Sequence, residues 1–257
     1  MEKNIVNPKN LLQPTIVNKI KIKSIADDEM AVSEHIEEFS QRLIFCLVTL
    51  IFSTLICFAD IKDIVQIFQA PALGVKFLQF SPGEYFFASI KIAAFCGILI
   101  SSPIVIYQIL LYVLPGMTKK ERDILLPMTF GSCILFVVGL LFSYSFLVPA
   151  ALNFFIAYGS EVVEPFWSFD QYFDFIAVLI FTTGLAFQVP VLQIIVGFLG
   201  IFSGEKMLSA WKYVIVGATI LAAIITPSTD PVTQILLTVA LLSLYFSGAG
   251  LVVLLKK

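Results

Sequence analysis

The chain has 257 residues, of which 59% are hydrophobic and only 13% charged, with a net charge of −2 and a mean hydropathy of +0.96. A soluble domain is about 25% charged, so this chain cannot clothe a globule in water, and lipid must be the solvent for much of its surface. No global basic field exists for nucleic acid. One histidine and four scattered cysteines, Cys46, Cys57, Cys96 and Cys133, argue against a metal cage or a disulfide framework, and no cofactor is expected.

Residues 1–32 are polar and rich in Lys, Asn and Ile, and read as a flexible tail. No apolar stretch precedes Leu43, so no removable signal peptide is expected. Residues 33–257 read as one membrane domain. At its start, Ser33 is a candidate N-cap for a helix carrying Glu34, Glu37 and Glu38 in its first turns, where the helix dipole favours anions. Glu38 and Arg42 are one turn apart, a pair worth a few tenths of a kcal/mol. The same residues also read as an acidic patch at the lipid surface for a cationic partner.

Six apolar segments follow, at 43–59, 85–114, 124–148, 172–201, 211–226 and 232–255. Pro103, Pro127, Pro149 and Pro190 lie in or beside these segments and should bend spans two to four. The fifth segment is short: about 16 residues reach roughly 24 Å, against a hydrocarbon core of roughly 30 Å. It turns straight back through 227–231, so the fifth and sixth helices should form a short hairpin. The expected fold is therefore all-α: a polytopic bundle of six kinked transmembrane helices.

Basic residues set the orientation. Thirteen fall in the tail, the loops after spans two and four, and the C-terminus; the alternate side holds only Lys62, Lys76 and Lys91. Both termini should face the cytoplasm or the stroma, which requires an even number of spans.

Between spans two and three, Pro115 and Gly116 end a helix, and Thr118 with Glu121 has the spacing of a capping box for the next. Glu121 is then either a cap residue or a second carboxylate on the same membrane face as Glu38. Within the spans the polar side chains are Gln108, Asn153, Asp174, Gln188, Gln193 and Gln234, with Lys91 near one end and Asp230 in the short hairpin. Such residues are interhelical glue or functional groups. Asp230 also has the position of a cap for the sixth helix. No nucleophile–base set and no phosphate loop are present, so an enzyme is not expected.

Several of these segments resemble TatC, the signal-recognition subunit of the twin-arginine protein translocase. The resemblance rests on His35, Glu37, Glu38 and Arg42; on Ser102, Pro103, Tyr107 and Gln108; on the run from Pro115 to Arg122; on Phe187, Gln188 and Pro190; and on Thr226, Pro227 and Asp230, in that order and spacing. It implies a six-span bundle that binds signal peptides bearing two arginines. It also implies recruitment of single-span TatA- and TatB-type partners into an oligomeric complex that moves folded proteins using the proton-motive force. Glu38 and Glu121 match the family's signal-binding acidic positions, and Tyr112 a position that is usually aromatic. Pro71 matches a proline of the first outer loop, Gln108 a glutamine of span two, and Asp230 the acid of the short hairpin. Gln188, where many bacterial members carry Glu, resembles the cyanobacterial and plastid branch. Ser40 and Phe246 replace a basic and an acidic residue common elsewhere. A plastid thylakoid membrane is the expected location, ahead of a mitochondrial or bacterial inner membrane. The rival reading is a small secondary transporter with Lys91, Gln188 and Asp230 along a polar path.

Overall fold

The computed structural model describes residues 32–72, 75–113, 119–159, 166–198, 200–226 and 230–255, with the side chains of 32–35, 113 and 119–126 outside that description. Residues 1–31, 73–74, 114–118, 160–165, 199, 227–229 and 256–257 therefore lie outside the described residues, and with them nearly all of the expected flexible tail. The chain divides into two compact units, Met1–Phe45 and Cys46–Lys257.

Helix α1 runs from Val32 to Ala59. The acidic segment and the first apolar segment are thus one continuous helix, and Ser33 lies inside it rather than capping it. Glu, Gln, Leu and Phe follow one another there without a Gly or Pro to stop the backbone ladder, so nothing separates the two parts. Asp60 turns the chain into the short helix α2, Ile61–Gln69, which buries Val65 and Phe68 and exposes its other face. A 3-10 turn, Ala70–Ala72, carries Pro71.

The long helix α3, Glu84–Val113, contains Pro103. Proline has no N–H to give the carbonyl four residues earlier. The Ser102 hydroxyl donates to that carbonyl, Leu99 O, at 2.6 Å, so the bend exposes no bare acceptor to lipid.

Helix α4, Lys119–Phe142, continues through a π-turn, Ser143–Leu147, into α5, Val148–Gly159. The third apolar segment is longer than the expected 124–148. Pro149 does not end it, because the wider π-turn absorbs the missing hydrogen bond and lets the helix resume. The expected kink at Pro190 takes a third form. Helix α6, Phe169–Ala186, ends at Phe187, and α7, Val189–Phe198, begins anew with Pro190 in its first turn, where proline suits the helix. Helices α8, Gly204–Ser209, α9, Trp211–Ile225, and α10, Pro231–Leu255, complete the described chain.

Among the described residues, five helical stretches are long and apolar enough to cross a bilayer; Trp211–Ile225 is apolar but shorter. One feature departs from an all-helical fold. Strands β1, Lys76–Leu78, and β2, Phe166–Ser168, pair in parallel with Phe77 opposite Trp167. Three residues are too few for any alternating pattern to register.

In the second unit the core centres on α6, where Ile176, Leu179 and Thr183 are fully buried against Ile92 of α3 and Leu147 and Val148 of the third stretch. Several helix contacts, at Gly97, Gly139, Gly184, Gly197 and Gly248 among them, leave no ready room for a Cβ. A Cβ on Gly97 would lie 2.2 Å from Thr54 Oγ1, and one on Gly139 would lie 2.8 Å from the Phe187 ring. Only glycine lets α1 meet α3, and α4 meet the α6–α7 break, at these points.

Candidate functional site

In the first unit, α1 places Glu38 one turn before Arg42. Arg42 Nε donates to Glu38 Oε1 at 3.0 Å, and Nη2 reaches the same oxygen. Both side chains remain about one quarter exposed. Glu precedes its cation by four residues, the favourable order for a helix. The pair fixes the carboxylate's position without removing it from solvent.

Tyr112 and Gln108 sit four residues apart near the end of α3, on one face. Glu121 lies in the first turn of α4, where the dipole favours a carboxylate; its side chain is outside the described residues. So is the Thr118 half of the expected capping box. Pro71 occupies the turn after α2.

The polar residues of the transporter reading do not converge on one another. Lys91 Nζ donates to Asp170 Oδ1 at 2.7 Å and to Asp174 at 2.8 and 2.9 Å, tying α3 to α6. Gln188, at the α6–α7 break, accepts from Ser132 Oγ and returns a bond from Nε2 to Ser132 O at 3.2 Å. Asp230 accepts from Thr233 N at 2.8 Å and from the Thr233 hydroxyl, capping α10. Each polar group is spent on a helix end or a helix pair.

Several partners were not evident in sequence. Ser132 is one of many small residues in an apolar run, and nothing in its spacing marks it as the mate of Gln188. Asp170 and Asp174 were more accessible to inference, since two acids one turn apart in a span call for a cation. Glu84 holds the entry to α3 by accepting from Phe80 N at 2.6 Å, Ser81 N at 3.1 Å and Ser168 Oγ at 3.0 Å. Tyr144 and Tyr172 donate to the carbonyls of Ile67 and Phe68 at 2.7 and 2.8 Å, closing the end of α2.

A bundle of bent apolar helices, with charge confined to helix ends and one short apolar helix beside a long one, defines an integral membrane protein. Its motifs carry no catalytic set. The comparisons specify the kind. The family described as Sec-independent protein translocase protein (TatC) matches residues 34–239. A tatC-like protein of Guillardia theta is 60% identical over 89% of this chain and 79% of its own length. The chloroplastic Sec-independent protein translocase protein TATC of Pisum sativum is 51% identical over 88% of this chain and 65% of its own. A crystal structure of the twin arginine translocase receptor TatC superposes with a TM-score of 0.74 at 32% identity, covering 87% of this chain and all of that one. The chain belongs to the TatC family.

Proposed function

We propose that this chain is the receptor subunit of a twin-arginine translocase in the plastid thylakoid membrane, and that Glu38 and Glu121 together bind the two arginines of a signal peptide. The family match across 34–239 supports the activity, and the chloroplastic relative supports the location. The observation that carries the site is Glu38 itself, held by Arg42 yet about one quarter exposed. A carboxylate within reach of solvent is a suitable acceptor for an incoming guanidinium, and Arg–carboxylate pairs are strong because they are bidentate. Glu121 is the second carboxylate that the motif resemblance supplies, with Tyr112 nearby in sequence to pack against the peptide.

In this reading Trp211–Ile225 crosses as a short sixth span, both termini face the stroma, and α9 and α10 form a hairpin. Residues 33–257 act as the translocase domain and the tail as an appendage. Single-span TatA- and TatB-type proteins are the partners, and the proton-motive force supplies the energy. Chemistry on a substrate bond is no part of it.

Replacing Glu38 and Glu121 by Ala, singly and together, tests the site. A charge-assisted hydrogen bond contributes about 1.5–3 kcal/mol, so crosslinking of a twin-arginine signal peptide to the full-length protein should fall roughly tenfold or more in each single variant. Undiminished crosslinking in the double variant overturns the assignment.

A further inference from the structure

Gln193 stands in α7, inside the fourth apolar stretch, and is 8% exposed. Its amide nitrogen and amide oxygen are both sealed from the surface, and among the described residues neither has a hydrogen-bond partner. Gln188, five residues earlier, differs: it exchanges two bonds with Ser132. A buried polar group without a partner is costly, and an apolar side chain of the same shape would fill the place without that cost.

The amide rests on the backbone of α10. A Cβ on Gly248 would collide with Gln193 Oε1 and lie 2.8 Å from Pro190 Cα, so the seam has no room there for even a methyl group. The contact continues along the seam, where Gly197 of α7 receives Val252 and Gly204 of α8 receives Val253. A row of small residues thus seats α10, and the unpaired amide is aimed into it. The Tyr245 hydroxyl ties α10 to α8 by donating to Met207 O at 3.1 Å.

Two effects set how firmly this seam stays shut. In a bilayer, parting two apolar helices costs no hydrophobic free energy, because lipid is as apolar as the partner helix. Closure therefore rests on close packing and the tyrosine bond, and the unmet amide opposes it. Access is short as well: Gln193 lies five residues before the end of α7 at Phe198, roughly 7–8 Å along the helix. The end of α10 lies alongside, since Val252 meets Gly197.

We propose that the α7–α10 seam is a gate: α10 parts from α7 at their shared end, and the open form lets water from the nearby surface satisfy the Gln193 amide. The closed and open forms are both populated, and Gln193 sets the balance between them. The gate is separate from Glu38 and Glu121 and does not depend on the signal-peptide reading.

Val252 is 3% exposed within the seam, so a thiol at this position reports opening. The reporter is full-length Val252→Cys protein in vesicles, with Cys46, Cys57, Cys96 and Cys133 replaced by alanine. A water-soluble maleimide should label it without denaturant. Adding Gln193→Met, which keeps the shape of the side chain and removes the amide, should slow labelling by at least about fivefold, as relief of a buried unpaired group requires. Gln193→Met should also raise the denaturant concentration at which the bundle unfolds. Tyr245→Phe should speed labelling about threefold, by loss of one hydrogen bond. A Val252→Cys protein that labels only when unfolded overturns the gate. Labelling that Gln193→Met leaves unchanged or accelerates overturns it too. A Gln193→Met protein less stable than its parent does the same, because the amide is then satisfied in the closed seam.

Discussion

The first and fourth apolar stretches are equally fit for a bilayer, yet within an apolar 18-residue window of each, 11% of the residues of Ile36–Ala59 are buried against 56% of those of Phe169–Phe198. On α1, Ser53 and Cys57 are buried while Ile51, Phe52 and Leu55 face outward. On α6 the buried set includes Phe173, Ile176, Leu179, Ile180 and Thr183. Apolar content alone does not separate a lipid-facing helix from a core helix, because lipid and protein interior are similarly apolar. The separation comes from small and polar residues: Thr183 and Gly184 admit neighbours into α6, while α1 touches α3 chiefly where Gly97 receives Thr54.

The sharpest way to break this contrast is to remove bulk from each stretch. Ile176→Ala should destabilise the protein by about 2–5 kcal/mol, the range for a buried aliphatic truncation. Phe52→Ala should cost no more than about 0.5 kcal/mol, as an exposed substitution does. Unfolding in mixed micelles measures both, and similar losses would end the distinction. Next in size, Gly97→Leu drives a side chain into the Thr54 backbone and should cost about 1–3 kcal/mol. Spin labels on α1 and α3 at residues 56 and 100 should move apart; an unchanged distance would show that Gly97 does not seat the helix. The smallest effect is expected at the break in the fourth stretch. Gln188→Ala removes the exchange with Ser132 and should cost about 0.6–1.7 kcal/mol, the range for interhelical hydrogen bonds in membranes. Ser132→Ala on that background should then add little.

Much of the helical order was legible in the sequence, since apolar runs of bilayer length leave few alternatives. What the prolines do was less so. Pro103, Pro149 and Pro190 carry the same signal, yet one is relieved by a serine hydroxyl, one by a π-turn and one by a fresh helix start. Those outcomes depend on which donor or neighbour stands nearby. The start of α1 was misplaced for a related reason: Ser33 is a good cap residue, but caps compete with continuation, and strong helix formers flank it. Glu38 and Arg42 were readable as a pair because their spacing is local. The links of Lys91 to Asp170, Gln188 to Ser132 and Tyr172 to Phe68 cross the bundle, and spacing along the chain holds no record of them.

The tyrosine bonds that close α2 carry a consequence for biogenesis. Tyr144 and Tyr172 lie 77 and 104 positions beyond the carbonyls they satisfy, and β1 likewise waits for β2. At a synthesis rate of about 5–20 residues per second, the ribosome needs roughly 5–20 s after making Phe68 before it delivers Tyr172. During that interval the end of α2 and strand β1 have open backbone groups. Insertion of the fourth stretch is thus the event that seals this end of the bundle, and a chain stalled before it would be left with a frayed, protease-accessible loop.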